Sequence, residues 1–270
     1  MKLTWLIENF TDSPDYQDLI EAVRKSGRVC HVIDKRNNFE FKPDAYRHEK
    51  LLLFQGSIQL GKLVKKSLPE SSPVLFCNDS AFLCTSYYPV FQDYLFNDRH
   101  VATTVNNLKN NKFEYYARYG KEALIFIRPD GGDKPFTGQL LDLQDFERFW
   151  ANNVVCNVAD SDIIYISTPK EIIGEWRFVV SHSKIIAQST YVFQNQKTLI
   201  PSAPKKATEL VLELLKVGYH PDPVYCIDIC QGKDELFYLL ELGSFSHCGL
   251  YACDKDDIVK EVSELIETTI

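Results

Sequence analysis

The chain has 270 residues, of which 45% are hydrophobic and 25% are charged, a composition typical of a globular protein that can bury a sizeable core. The formal charge of −7 argues against a coat for nucleic acid or a general binder of anionic membranes. No apolar run approaches the length of a membrane span, and the N-terminal residues turn polar too early for a signal peptide, so we expect a cytoplasmic protein.

The eight cysteines are irregularly spaced, and the sequence contains no Cys-x-x-Cys. Several of them lie inside apolar segments, which favours reduced, buried thiols, as is usual in the cytosol. A metal site is the alternative, although the spacing matches no common zinc pattern. Its ligands would be Cys226, Cys230, Cys248 and Cys253.

Strand and helix patterns alternate through the first part of the chain. Apolar runs at residues 3–7, 28–33, 50–54 and 73–77 predict strands, and helical spacing follows the first and the third of them. This β-α-β-β-α-β order is typical of a small α/β unit with a mostly parallel sheet, which we assign to residues 1–96.

Two further units are predicted after this one, at residues 97–150 and 151–270. The first contains a helix over 105–112, the strand 123–127 and a short helix over 142–150 that Asp142 would cap. The second contains two hairpins, with turns at Ser181-His182-Ser183 and Gly232-Lys233-Asp234, an amphipathic helix before the second hairpin and a closing helix. Its only long stretch without a pattern is 193–203.

Two cations flank a turn rich in proline and glycine. Arg128 directly follows the strand 123–127, and Lys134 comes six residues later. Two cations around a flexible backbone suit a polyphosphate, whereas an exposed turn with two surface cations is the plainer alternative. The loop is no Walker A loop, and no Gly-x-Gly-x-x-Gly follows the first strand, so a dinucleotide fold is not indicated.

Charged residues also interrupt the apolar strands of the last unit. Glu175 and Arg177 alternate with apolar residues and therefore point to one face, either as a solvated ion pair or as part of a phosphate site. In the last hairpin, a turn centred on residues 233–234 makes Asp228 and Glu241 diagonal neighbours on one face. Two such carboxylates favour Mg²⁺ between them, unless one of them is exposed on an edge strand.

These pieces, in this order, resemble the ATP-grasp superfamily, in particular its clade marked by two arginines and a lysine, common in bacteria and their phages. The resemblance covers about residues 101–254. It implies an α/β (α+β) fold in which a pre-ATP-grasp unit, 1–96, precedes an ATP-grasp domain, 97–270. The two α+β subdomains of that domain, 97–150 and 151–270, would enclose ATP. The matching segments are 126–130, 134–138, 175–180, 241–246, 249–251 and Asp254.

The resemblance also implies roles for individual residues. Arg128 would contact the α-phosphate in place of the lysine of most members, and Lys134 would lie over the phosphates. Arg177 would face the γ-phosphate and the acyl phosphate that it becomes. Asp228 and Glu241 would hold Mg²⁺.

The resemblance also implies a hinge beside the adenine, and the sequence departs from the family pattern at one position. Ser167, Thr168 and Glu171 would contact the adenine, and Glu175 would belong, with Arg177, to the residues that bind ATP. Gly243 stands where ATP-grasp proteins usually place Asn, two residues after the metal-binding Glu. Candidates to compensate for it are Ser244 and Asp254.

We therefore predict an ATP-dependent ligase that joins a carboxylate to an amine through an acyl phosphate and converts ATP to ADP and phosphate. Its partners would be ATP, Mg²⁺ and two substrates, each a small metabolite or a peptide. The alternative is an ATP-binding assembly or interaction factor of the same fold without ligase turnover, which Gly243 in place of Asn keeps open. An α/β protein without a nucleotide site is the third possibility.

Overall fold

The computed structural model describes residues 2–9, 14–34, 41–68, 73–131, 136–151 and 158–269. The chain forms two compact units that are interleaved along the sequence. Unit 1 comprises residues 1–78, 174–229 and 241–270, and unit 2 comprises residues 79–173 and 230–240. The predicted boundaries at residues 96 and 150 divide the chain by sequence order and stay a prediction.

A four-stranded parallel sheet opens unit 1, with strand order β2-β1-β3-β4. Helices connect its strands. The apolar positions of each helix recur on one face, and that face covers the sheet. The predicted parallel α/β arrangement is thereby confirmed. Its elements are β1 (Thr4–Asn9), α1 (Pro14–Lys25), β2 (Val29–Asp34), β3 (Leu52–Gln55), α2 (Ile58–Ser67) and β4 (Pro73–Val74).

Unit 2 is built on a second four-stranded sheet, which is antiparallel and has the order β5-β8-β6-β7. Its core includes Ile125, Ile127 and Phe146, all with at most 1% of their surface exposed. The elements are α3 (Cys84–Tyr87), β5 (His100–Thr104), α4 (Val105–Asn110), α5 (Lys112–Tyr119), β6 (Leu124–Pro129), β7 (Gln139–Asp142), α6 (Phe146–Ala151) and β8 (Ile163–Ser167).

A five-stranded sheet of order β11-β10-β9-β12-β13 forms the second layer of unit 1, and the tip of its last hairpin, Cys230–Leu240, belongs to unit 2. The predicted turn between β9 and β10 is confirmed, since His182 and Ser183 both have positive φ. The elements are β9 (Ile172–Ser181), β10 (Lys184–Phe193), β11 (Gln196–Ile200), α7 (Lys205–Lys216), β12 (Val224–Gly232), β13 (Phe237–Ser244) and α8 (Lys255–Thr269).

Two segments differ from their predicted structure. The stretch 193–203 contains β11, whose largely exposed residues have no apolar pattern and which pairs with β10 through its backbone. A helix was expected over 142–150, but Asp142 ends β7 and the helix begins at Phe146. The Asp142 carboxylate accepts the N–H of Gln144 (2.7 Å), a turn interaction that delays the helix.

Helix α8 closes the core of unit 1 over the N-terminal sheet. Trp5 is fully buried, and its indole N–H donates to Ser263 Oγ at 3.2 Å. The N–H of Leu3, just before β1, donates to Glu267 Oε1 at 3.0 Å, so two hydrogen bonds join the N-terminal segment to the last helix. No helix in the described part of the chain combines the length and apolarity that crossing a membrane requires.

The cysteines within the described ranges are free thiols, and most of them are buried. Two of them, Cys226 and Cys248, place their sulfurs 3.0 Å apart inside unit 1. Among the described residues, no group of three or more His, Cys, Asp or Glu side chains is arranged to hold a metal ion, which gives the cysteine metal site no support.

We predict that the core of unit 1 depends on Phe245, which is fully buried with its ring 6.5 Å from Trp5 and 6.3 Å from Phe76. Phe245→Ala is expected to lower the free energy of unfolding by about 3–5 kcal/mol in urea titrations, because it leaves a cavity. Phe113→Ala is the matched control, since Phe113 is 70% exposed. Equal losses in both variants would contradict the assignment of this core.

Candidate functional site

Charged side chains occupy one face of β9, in the middle of the five-stranded sheet. Trp176 and Phe178 are buried on one side of the strand, while Glu175 and Arg177 alternate with them and are partly buried on the other. This is the alternation that the sequence predicts. The face that carries Glu175 and Arg177 therefore holds charges in a place of limited exposure.

Arg177 forms a two-pronged ion pair with Asp228 on the neighbouring strand β12. Its Nε donates to Asp228 Oδ1 at 2.8 Å, and its Nη2 donates to Oδ2 at 2.6 Å. The two side chains are only 11% and 6% exposed. Burial acts to lower the pKa of the Arg177 guanidinium, but Asp228 outweighs it and holds that pKa well above its usual value.

Asp228 and Glu241 point to the same face of the sheet. A Cβ built on Gly243 of β13 would lie 3.8 Å from the Cβ of Cys226 on β12, so these two positions share a face. Because side chains alternate along a strand, Asp228 and Glu241 share that face as well. The arrangement brings together four of the residues selected from the sequence: Glu175, Arg177, Asp228 and Glu241.

The carboxyl group of Glu175 on this face has a raised pKa. Burial raises its pKa, and the neighbouring carboxylates of Asp228 and Glu241 act in the same direction. The hydroxyl of Tyr191 donates to Glu175 Oε2 at 2.6 Å and, like the nearby Arg177, lowers that pKa without reversing the shift.

Two tyrosines on this face were not selected from the sequence for any role. The rings of Tyr191 and Tyr251 stack with centroids 4.6 Å apart and an interplanar angle of 10°. Tyr191 lies where the pairing of β10 with β9 shifts between Thr190 and Val192, and such a bulge re-aims a side chain. Tyr251 lies in the segment 249–251, which matches the ATP-grasp resemblance but was given no residue role. Of the two tyrosines, only Tyr251 could therefore have been found from the sequence.

The carboxylates of Asp228 and Glu241 fit Mg²⁺ by their chemistry. Mg²⁺ takes oxygen ligands and is usually bound by one or two carboxylates together with substrate phosphates. Each oxygen of Asp228 accepts one bond from Arg177, which leaves lone pairs for a cation. Gly243 supplies no side-chain ligand. Asp254, one candidate to compensate for it, instead accepts the N–H of Asp257 at the start of α8 (3.0 Å).

Arg128 lies in unit 2, on β6 opposite Tyr165 of β8. Its Nη1 donates to the hydroxyl of Tyr88 at 3.2 Å and to the carbonyl of Leu240 at 3.3 Å. Burial raises the pKa of Tyr88 to about 12, so this hydroxyl stays neutral beside the arginine. Tyr88 thereby fixes a cation that the sequence places beside a flexible turn.

The predicted hinge residues also lie in unit 2. Ser167 is buried and donates to Asn97 Oδ1 at 3.2 Å. The Oγ1 of Thr168 is buried and has no hydrogen-bond partner within the described part of the chain, so it suits a ligand that brings a donor or an acceptor. Glu171 is exposed and pairs with Lys233 at 2.8 Å, which lowers its pKa. Lys134 falls in 132–135, outside the described residues.

A comparison with protein families gives one match. The model of the ATP-grasp domain, R2K clade family 3, matches residues 76–262 of the chain. No curated protein sequence matches significantly.

Solved structures of similar fold include a D-cycloserine synthetase and two ATP-grasp proteins. The D-cycloserine synthetase DcsG is 12% identical, with a TM-score of 0.62 over 98% of this chain and 99% of that chain. A RimK domain ATP-grasp protein from Sphaerobacter thermophilus DSM 20745 is 10% identical, with a TM-score of 0.62 over 98% and 100%. The ATP-grasp ligase PsnB, complexed with minimal precursor, Mg and ADP, is 12% identical, with a TM-score of 0.55 over 97% and 98%. At these identities the likeness shows the fold.

We predict that Glu175→Gln changes how stability depends on pH. Because the folded pKa of Glu175 is raised, its contribution is fully present below the unfolded value of 4.5 and is lost as the pH rises through the folded pKa. The variant cannot ionise at this position. The melting temperature of the variant minus that of the parent should therefore increase between about pH 4 and pH 8.

Glu49→Gln is the control for this pH series. Burial acts to raise the pKa of Glu49, but hydrogen bonds from His31 and Thr4 outweigh it and lower that pKa. The stability that Glu49 contributes is therefore present above its unfolded pKa. The melting temperature of the variant should fall relative to that of the parent as the pH rises. Parallel curves for Glu175→Gln and the parent would show that Glu175 ionises normally.

Proposed function

The chain belongs to the ATP-grasp domains of R2K clade family 3, and from this membership we propose that it is an ATP-dependent carboxylate–amine ligase. A substrate carboxylate attacks the γ-phosphorus of ATP, and the bond to the bridging oxygen breaks, which gives an acyl phosphate and ADP. An amine then attacks the acyl carbon, loses a proton and expels phosphate, which leaves an amide. Neither step needs a covalent nucleophile from the protein.

The observation that best supports this proposal is that Arg177 is buried and oriented but still has N–H donors available. A guanidinium has five N–H donors, and three of them are used by Asp228 and the carbonyl of Gly249 (2.7 Å). Among the described residues no other group accepts from Arg177, so two donors remain for an anion. A buried cation that is already oriented, with donors to spare, suits the oxygens of a transferring phosphoryl group, because it need not reorganise as charge develops.

The remaining roles follow the family resemblance. We assign Arg128 to the α-phosphate, Lys134 to the phosphates, and Arg177 to the γ-phosphate and the acyl phosphate. The adenine contacts are assigned to Ser167, Thr168 and Glu171, where the unpaired hydroxyl of Thr168 is a supporting observation.

Asp228 and Glu241 are the residues that we assign to Mg²⁺. Bound there, Mg²⁺ would neutralise phosphate charge and orient the phosphoryl group. Glu175 shares this face and, with its raised pKa, holds a proton more readily than an ordinary glutamate. The structure of the ligase PsnB with a precursor peptide and AMPPNP supports a peptide as substrate, and the fold of the D-cycloserine synthetase DcsG supports a small metabolite.

An ATP-binding assembly or interaction factor without turnover is the second candidate. Gly243 favours it, because the position that usually supplies a metal ligand has no side chain. The two functions differ in product: a ligase releases ADP once both substrates are present, whereas a binding factor does not. Screening carboxylate and amine pairs for ADP release separates them.

We predict Mg²⁺-dependent binding of ATP, measured by calorimetry. Arg177→Lys keeps the charge but loses the planar fork, and Glu241→Gln removes one carboxylate, so each should weaken the affinity for ATP by about tenfold or more. The matched controls are Arg148→Lys and Glu209→Gln, whose side chains are 80% and 53% exposed. Equal affinity in the parent and in both site variants would refute the site.

We further predict that Gly243→Asn lowers the Mg²⁺ concentration needed for ATP binding. A Cβ at this position meets its nearest atom at 3.8 Å, an ordinary contact, so the side chain fits and its amide oxygen adds a ligand on the metal face. The half-saturating concentration should fall about tenfold. Gly218→Asn, remote and with open space around it, is the control. An unchanged Mg²⁺ requirement would count against metal binding on this face.

A further inference from the structure

Tyr251 has a backbone conformation that its side chain disfavours. Its φ is 48°, in the left-handed region, where a bulky residue is an outlier. Other non-glycine residues with such a backbone, for example His182 and Asn195, lie in two-residue hairpin turns. Tyr251 lies in the link between β13 and α8 instead, so a turn of that kind does not account for it. Strain of this sort persists only where the surroundings impose it, and it clusters at functional sites.

Charged side chains hold both peptide groups of Tyr251. Its N–H donates to Asp15 Oδ2 at 3.2 Å, and its carbonyl accepts from Lys255 Nζ at 2.6 Å. Asp15 and Lys255 are 9% and 7% exposed, so these bonds are shielded from water. The left-handed backbone is therefore imposed from both sides.

The residues before Tyr251 are held in the same way. Gln55, at the carboxyl end of β3, donates to the carbonyl of Cys248 at 2.8 Å, and Asp15 also accepts the N–H of Leu250 at 3.0 Å. In open α/β sheets, the carboxyl edge next to a reversal of strand order is where ligands usually bind. Here that edge of the N-terminal sheet holds the segment 248–251.

The ring of Tyr251 is thereby laid against Arg177. The guanidinium carbon lies 4.9 Å from the ring centroid of Tyr251 and 5.7 Å from that of Tyr191, which stacks on Tyr251. Asp228 fixes the guanidinium within its plane, and the aromatic face fixes it perpendicular to that plane. The carbonyl of Gly249, in the held segment, accepts a further N–H of Arg177 at 2.7 Å.

We propose that Tyr251 is a positioning residue for Arg177, and that its left-handed backbone is maintained to press the ring onto the guanidinium. The inference rests on the proposed function, in which Arg177 faces the γ-phosphate. Its consequence is selective: loss of the ring should weaken recognition of the γ-phosphate more than recognition of the rest of the nucleotide.

The test compares ATP with ADP, which differ by the γ-phosphate alone, in the presence of Mg²⁺, by calorimetry on the full chain. Tyr251→Gly removes the ring and relieves the backbone strain, so the unfolding temperature should stay close to that of the parent. We expect the preference for ATP over ADP to fall about tenfold, because the guanidinium is no longer held. Tyr251→Phe keeps the ring and should keep the preference of the parent.

Two further variants separate positioning from folding. His182→Gly relieves a matching φ of 47° in a remote turn and should leave the preference unchanged. Tyr251→Asn tolerates the left-handed backbone without a ring and should behave like Tyr251→Gly. The proposal is overturned if Tyr251→Gly and Tyr251→Asn keep the preference of the parent, or if Tyr251→Phe loses it to the same extent. If the parent itself binds no ATP, the proposed function fails first.

Discussion

The ion pair of Arg177 and Asp228 places two full charges where water hardly reaches. Such a pair needs good geometry and further hydrogen bonds to offset the cost of burial, and loss of one partner costs about 3–5 kcal/mol. The two hydrogen bonds to Asp228 supply the geometry, and the carbonyl of Gly249 accepts a third N–H of Arg177. They fix β9 against β12, and with it the place of Glu175. One cation among three carboxyl groups leaves a net negative face, which attracts a divalent cation and favours protonation of Glu175.

How much of this could be read from the sequence depends on the range of each interaction. Strand alternation is local, so the shared face of Glu175 and Arg177 and the turn at His182-Ser183 were predictable. The fork to Asp228 was not, because β9 meets β12 only across two strands and a helix of intervening chain. For the same reason Asp228 was assigned to the metal alone. Tyr191 was missed because a bulge breaks the alternation on which the prediction rests.

The N-terminal sheet supports this site in a way that the sequence of the sheet does not predict. Gln55 and Asp15 read as polar residues at the ends of elements, yet they hold the peptide groups of the segment 248–251. A left-handed tyrosine costs about 1–2 kcal/mol, and bonds to Asp15 and Lys255 offset it. An α/β layer that could bind a ligand at its carboxyl edge thus serves as a support for the charged face of its neighbouring sheet, which carries Arg177.

The contact between Leu3 and Glu267 also bears on how the chain is made. These residues are 264 positions apart, and a ribosome needs about 13–50 s to synthesise that length. Until α8 emerges, the buried strand β1 and the indole of Trp5 lack the helix that covers them. Apolar strands exposed for so long are prone to pair with other chains. Nascent copies of this protein should therefore depend on chaperones far more than the finished fold does.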